Sequence, residues 1–238
     1  MSPAPHSAAA PRPEAFEWSH FVARSGAEGS DWVREYRRPD IAALVAAADE
    51  GLLLLRARRF AAGRDRLAVM ADGLTDGGNA IGPSIVSVLE RWYYGALAYA
   101  QYCADDFAGA EESLGRAHAA VAAAIGRAPF LMPLANHCQE FRLHAARIAR
   151  NRRRWTEMHK HVAAALSMME DREPLCVLAD GTPVRFAELV RFYLALPGLS
   201  PEEHESLAGQ VDPVVRLRLF HRFVQGLHAI PGFVIPYS

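Results

Sequence analysis

Six arginines, Arg142, Arg147, Arg150, Arg152, Arg153 and Arg154, fall within thirteen residues of a 238-residue chain. A guanidinium presents a planar fork of N–H donors that grips a carboxylate through two parallel hydrogen bonds, so such a cluster suits an acidic partner. It equally suits a solvated helix end, where cations sit favourably beside unpaired carbonyls. Arg147, Arg150 and Arg154 share one stripe if a helix continues through them, with Arg152 and Arg153 at its solvated end. Upstream, His137, Glu140 and His144 have spacings of three, four and seven, which places them on one helix face. That face is an alternative metal site, but no H-E-x-x-H signature is present, and His159 and His161 on the following helix point in different directions. Core packing, capping and surface hydrogen bonding are the competing uses of these histidines.

Other chemistries leave weaker traces. Gly73, Gly77, Gly78 and Gly82 follow neither the phosphate-cradling G-x-x-x-x-G-K-Ser/Thr order nor the dinucleotide-binding GxGxxG order. His221 and His228 have no sequence-defined nucleophile or orienting carboxylate. Twenty-six Lys and Arg nearly balance twenty-seven Asp and Glu, which removes the electrostatic case for nucleic acid. Cys103, Cys138 and Cys176 are odd in number and widely separated, so neither a disulfide framework nor a structural zinc site follows, and each reads as a small buried residue. No cofactor is predicted. Residues 1–13 are rich in Ala and Pro, lack the basic region and apolar core of a secretory signal, and read as a flexible tail. No apolar run approaches the roughly 20 residues of a membrane span. A cytoplasmic protein without membrane contact is the expectation.

The elements that position these residues are helical. RARRFAAGRDRLAVM around Phe60, CADDFAGAEESLGRAHAAV around Phe107 and RNRRRWTEMHKHVAAAL around Trp155 share an aromatic-then-helix pattern, with anchors 47 and 48 residues apart. In the middle copy, Tyr94, Leu97, Ala98 and Gln101 precede Phe107, and Ala110, Leu114 and Ala117 follow it. Small residues at Ala98 and Ala110 allow two antiparallel helices to approach closely, with Phe107 and Leu114 filling the space between, and Asp106 is placed to cap the second helix. The third copy reads Arg142, Ala145, Ala146 and Ala149, then Met158, Val162 and Ala165; the first reads Gly51 and Leu54, then Gly63, Leu67 and Met70. Gly63 weakens the first copy on helix propensity.

This pattern resembles the tetratricopeptide repeat family, most closely from Tyr94 through Ala117 and more loosely over roughly residues 41–174. The period exceeds the family's usual 34 residues, which calls for longer helices or inserted connections. The resemblance implies antiparallel helix pairs stacked into a superhelix, whose first helices expose ligand-facing positions. Carried onto this chain, those positions are Tyr99 and Tyr102, then Glu140, Leu143, Arg147, Arg150 and Asn151. Tyrosines there supply rigid contact area, while Arg147 and Arg150 grasp an acidic group.

Outside the repeat, a short helix is expected from Pro13 through Phe16, Trp18, Phe21 and Val22, then a turn over Ser25–Asp31 and a helix over Ile41–Leu55 led by Pro39. A connection is expected over Asp72–Gly82, followed by a helix led by Pro83. After Pro174 two alternatives stand. One is a hairpin of Leu175–Leu178 with Val184–Phe186 turning at Asp180-Gly181; the other is a helix capped by Thr182 whose packing face is Phe186, Leu189, Val190, Phe192 and Tyr193. A final apolar helix from Val214 to Leu227 either covers the stack or serves association of two copies. The sequence thus describes a mainly α chain, with one helical domain over residues 14–238. Its leading function is a peptide or protein interaction module with preference for an acidic partner. The alternatives are a small-molecule enzyme with a metal-assisted site enclosed by helices, and a structural homo-oligomer.

Overall fold

The computed structural model describes residues 22–77, 80–197 and 201. The expected tail, the helix through Phe16, Trp18 and Phe21, and the final helix with His221 and His228 lie outside the described residues. In chain order the elements are α1 (Ala27–Tyr36), α2 (Pro39–Arg56), α3 (Phe60–Gly77), α4 (Pro83–Cys103) and α5 (Phe107–Arg127). A 3-10 segment (Pro129–Ala135) leads into α6 (Asn136–Asn151), and α7 (Trp155–Met169), β1 (Cys176–Val177), β2 (Pro183–Val184) and α8 (Phe186–Ala195) complete it. Pro39 and Pro83 each open a helix, where the missing N–H would have had no intrahelical acceptor.

Three helix pairs, α2–α3, α4–α5 and α6–α7, repeat one design. Each first helix ends in a three-residue turn whose middle residue is left-handed, with φ of 61° at Arg58, 59° at Asp105 and 58° at Arg153. In every copy the same two backbone bonds close the turn. Arg59, Asp106 and Arg154 donate to the carbonyls of Leu54, Gln101 and Ala149 at 2.8–2.9 Å, and Arg58, Asp105 and Arg153 donate to those of Leu55, Tyr102 and Arg150. These are Schellman closures, which absorb helix-end carbonyls that would otherwise lack donors. The Asp106 carboxylate accepts from Gly109 N at 3.0 Å and so caps α5, as its position anticipated.

Matched positions are buried in register. Gly51, Ala98 and Ala146 lie on the first helices; Gly63, Ala110 and Met158 oppose them on the second; Leu67 and Leu114, then Met70, Ala117 and Ala165, follow. Gly63 is the reverse of a weakness, since a Cβ there would meet Leu55 Cγ at 2.7 Å and the Gly51 carbonyl at 3.0 Å. The three aromatic anchors are not equivalent. Phe60 and Trp155 are each 37% exposed, whereas half-buried Phe107 packs against the core and edge-on against Tyr102 of the paired helix at 5.9 Å, as expected of a residue between the two helices. Standing first in its helix, each such side chain lies over the turn. The long period comes mainly from long helices, 18 residues each in the first pair and 21 each in the second, with the 3-10 segment inserted before the third.

Two glycine-rich stretches expected to be connections are largely helical. The turn foreseen over Ser25–Asp31 ends at Gly26 (φ 110°), and Gly29 sits within α1 because a Cβ there would meet the Val22 carbonyl at 2.1 Å. Likewise α3 runs on to Gly77, with Gly73 facing Leu44, whose Cδ2 would lie 2.3 Å from an added Cβ. Both glycines serve close approach, and neither marks a break. After Pro174 a short antiparallel hairpin pairs Cys176 with Val184, and α8 then buries Phe186, Leu189 and Tyr193; the expected Thr182 cap is not used, because Thr182 and Pro183 belong to the hairpin and Arg185 stands at the N-cap. The Asp180-Gly181 corner is a three-residue loop with Gly181 at φ 85°, longer than a two-residue tight turn. Glu188 accepts from the Arg185 N–H at 2.8 Å and starts α8. All three cysteines are free, with Cys138 and Cys176 buried. Among the described residues no helix is long and apolar enough to cross a membrane.

Because a left-handed residue with a Cβ costs about 1 kcal/mol relative to glycine, exposed Arg153→Gly is expected to stabilise the protein by about that amount. Gly63→Val is expected to destabilise it by ~1–3 kcal/mol through overpacking. Urea denaturation checks both, and equal, near-zero changes would contradict the packing described.

Candidate functional site

The first helices of the three pairs, α2, α4 and α6, line one groove. At one end Ala48, Asp49 and Leu52 of α2, Arg91 and Trp92 of α4, and Glu140 and His144 of α6 enclose a hollow of about 140 Å³. At the other end Arg56 of α2, Tyr99 and Tyr102 of α4, and His144 and Arg147 of α6 enclose one of about 210 Å³. Gly95, Leu114 and His144 belong to both, so the two hollows are neighbours along the groove. Leu114 is supplied from below by α5, which packs against both α4 and α6. Gly95 keeps the passage open, because an added Cβ there would meet no atom within 4 Å.

The residues singled out on the repeat register divide accordingly. Tyr99, Tyr102 and Arg147 line the wider end, and Glu140 lines the narrower one. Tyr99 and Tyr102 stack with centroids 6.4 Å apart, and Asn151 donates to the Tyr102 hydroxyl at 2.5 Å, so Asn151 positions a groove tyrosine. Leu143 and Arg150 are half-buried and do not line the groove. The helix stops at Asn151, which removes Arg154 from the stripe. Arg152 and Arg154 turn instead to Glu111 of α5, at 3.2 and 3.1 Å, and Arg154 also pairs with Glu157.

His137, Glu140 and His144 do share a face of α6. His137 Nδ1 lies 2.9 Å from Glu140 Oε2, whereas His144 Nδ1 faces Arg147 Nη1 at 3.3 Å. Among the described residues no three His, Cys, Asp or Glu side chains are placed to hold a metal ion. Glu140 keeps 53% of its side chain exposed while protein rises around it on both sides of the groove. Burial works to raise its carboxyl, but the hydrogen bond and charge of His137, with Arg91 and His144, outweigh that and hold it at about 2. His137 and His144 are pushed down, first by burial and then by Arg91 and Arg147 respectively, so both rings are neutral near pH 7.

Sequence patterning missed the residue at the bottom of the groove. Arg91 is only 7% exposed, its guanidinium carbon lies 4.1 Å from the centroid of the Trp92 ring, and its Nε and Nη1 are buried without an acceptor. Its charge is sensed by Glu140 and Asp49, but neither carboxylate is hydrogen-bonded to it. Burial pulls the Arg91 guanidinium down and pushes the Asp49 carboxyl up. An arginine inside an apolar helical stripe (Val88, Leu89, Arg91, Trp92) was the available signal. Arg56, at the end of α2, is the other groove cation that repeat registration passed over, because its place falls at the last turn of the weakest copy.

A comparison with protein-family models found no match for this chain, and comparisons with curated proteins and with solved structures found none either.

Four imidazoles, His118, His137, His144 and His161, have lowered pKa values, with burial the largest cause in each. An unfolded histidine titrates near 6.5, so below that pH the unfolded chain binds protons that the native state refuses. Stability is therefore fully present above about pH 6.5 and falls as the pH drops below it. Thermal midpoints measured from pH 7.5 to 5 are expected to decline, and to decline less in H118N/H161N; identical slopes for the two proteins would refute this.

Proposed function

We propose that this chain is a divergent tetratricopeptide-like module that binds an acidic segment of another protein in the groove across α2, α4 and α6. The observation that carries the proposal is the wider hollow. Arg56 and Arg147 come to it from different helices, stacked Tyr99 and Tyr102 form its wall, and no acidic side chain is in its lining. A partner carboxylate there meets two guanidinium groups over an aromatic surface, the composition that concentrates binding energy at protein interfaces. Burial disfavours the charge of Arg147, with Tyr102 opposing that effect and Arg150 adding to it, so an entering carboxylate favours the charged guanidinium.

Arg91 fits the same occupant differently. Its charge already feels Glu140 and Asp49, so what it lacks is an acceptor and not a counter-ion. A main-chain carbonyl of an extended segment supplies one. The helix pairs support the tetratricopeptide likeness, since ligand-facing positions of that family fall on the first helices, here α2, α4 and α6.

Fluorescence anisotropy with labelled glutamate-rich and lysine-rich peptides of equal length tests the proposal. The acidic peptide is expected to bind more tightly and to lose about tenfold or more in affinity in R56A/R147A, the scale of losing charged hydrogen bonds. Arg150→Ala is expected to change affinity far less. Equal binding of both peptides, or an unaffected R56A/R147A protein of normal helicity, would overturn the assignment.

A further inference from the structure

Leu114 and Phe141, which line the groove, also border a further hollow. It encloses about 340 Å³ between α5, α6 and α7, within reach of the range typical of small-molecule sites. Its polar lining is cationic in excess: Arg142 from α6 and Arg154 from the α6–α7 turn face Glu111, and His118 of α5 and His161 of α7 complete the ring. Glu111 is already shared between Arg154 and Arg152. Arg142 has no such counter-charge at hydrogen-bonding distance, and its Nε is buried without an acceptor. Leu114, Phe141 and Ala145 supply an apolar wall beside it.

The two imidazoles are held in reserve. His118 Nε2 lies 3.0 Å from the Leu175 carbonyl, which fixes Nε2–H as the donor and leaves Nδ1 as the atom that gains a proton. Burial keeps both rings neutral, with the positive charge of Arg142 acting in the same direction; at His118 the bond to the Leu175 carbonyl pulls the other way, and at His161 Glu111 does so while Arg154 adds to the repulsion. An anion beside Arg142 would reverse that balance, so, with Arg154 already matched by Glu111, the hollow can present one unmatched fixed positive charge and two more that appear only with a ligand. A monoanionic carboxylate needs the first alone. A dianion uses all three.

We propose that this hollow binds a small organic phosphate monoester, with Arg142 gripping the phosphate, His118 and His161 taking protons from solvent as it enters, and the organic group lying against Phe141. Its charged and titratable lining, Glu111, His118, Arg142, Arg154 and His161, is distinct from that of the groove across α2, α4 and α6, with which it shares Leu114 and Phe141.

Isothermal calorimetry with phenyl phosphate at pH 7, in two buffers of different ionisation enthalpy, provides the test, with inorganic phosphate as the parallel probe. The expected result is binding with net proton uptake, tighter for phenyl phosphate than for inorganic phosphate. R142Q is expected to lose about tenfold or more in affinity, and H118N/H161N to lose the proton uptake. Gly115→Leu serves as the variant that leaves every charge in place: Gly115 lines the hollow, an added Cβ there meets nothing within 4 Å, and the longer side chain should fill the space and abolish binding. No binding of phenyl phosphate, binding without proton uptake, equal affinity for the two probes, or affinity unchanged in both R142Q and Gly115→Leu would each overturn the proposal.

Discussion

Two helices can pack closely only where at least one of them carries little side-chain volume at the crossing, and that constraint organises this protein. Gly51 meets Gly63 in the first pair and Ala98 is buried opposite Ala110 in the second. The third pair sets Ala146 against Met158, so one small residue with a flexible partner does the same task. Each pair is then closed by the same left-handed turn at Arg58, Asp105 or Arg153, which reverses the chain within three residues. Tight pairs with identical turns keep α2, α4 and α6 together on one side of the stack. The groove follows from that arrangement and needs no dedicated loop.

Within the groove, charge is sorted by position. The narrow end holds Asp49 and Glu140 with Arg91 beneath them, and the wide end holds Arg56 and Arg147 with two tyrosines. Arg91 is the costly member, because buried donors without acceptors forfeit hydration and regain nothing within the described structure. The stacked Trp92 ring offsets part of that cost by facing its π cloud to the cation. Such a residue in an otherwise apolar stripe points to a ligand more directly than the exposed arginines do, since Arg152 and Arg154 proved to be engaged with Glu111.

Much of the architecture was legible because helix pairing depends on local periodicity. The recurrence of Gly51, Ala98 and Ala146, the proline-led starts of α2 and α4, and the Asp106 cap all follow from residue type and spacing. Glycine misled. Gly29, Gly63 and Gly73 look like breaks or weak helix formers in sequence, whereas their lack of a Cβ is what lets Val22, Leu55 and Leu44 come close. Contacts across pairs were not legible at all. Nothing local to Arg56 announces Arg147 as its neighbour across a hollow, and nothing local to Arg142 announces His118, because those meetings are set by how the pairs stack. Tyr99, Tyr102 and Arg147 were reached only through the expected family resemblance, and all three line the wider hollow.

The most direct measurement is backbone amide chemical-shift mapping of the full chain titrated with a short glutamate-rich peptide. Binding in the groove requires the largest changes to cluster on α2 near Arg56, on α4 between Arg91 and Tyr102, and on α6 between Glu140 and Asn151. Changes concentrated on α3, α5 and α7, with those three stretches unmoved, would show that the first helices do not form the binding surface.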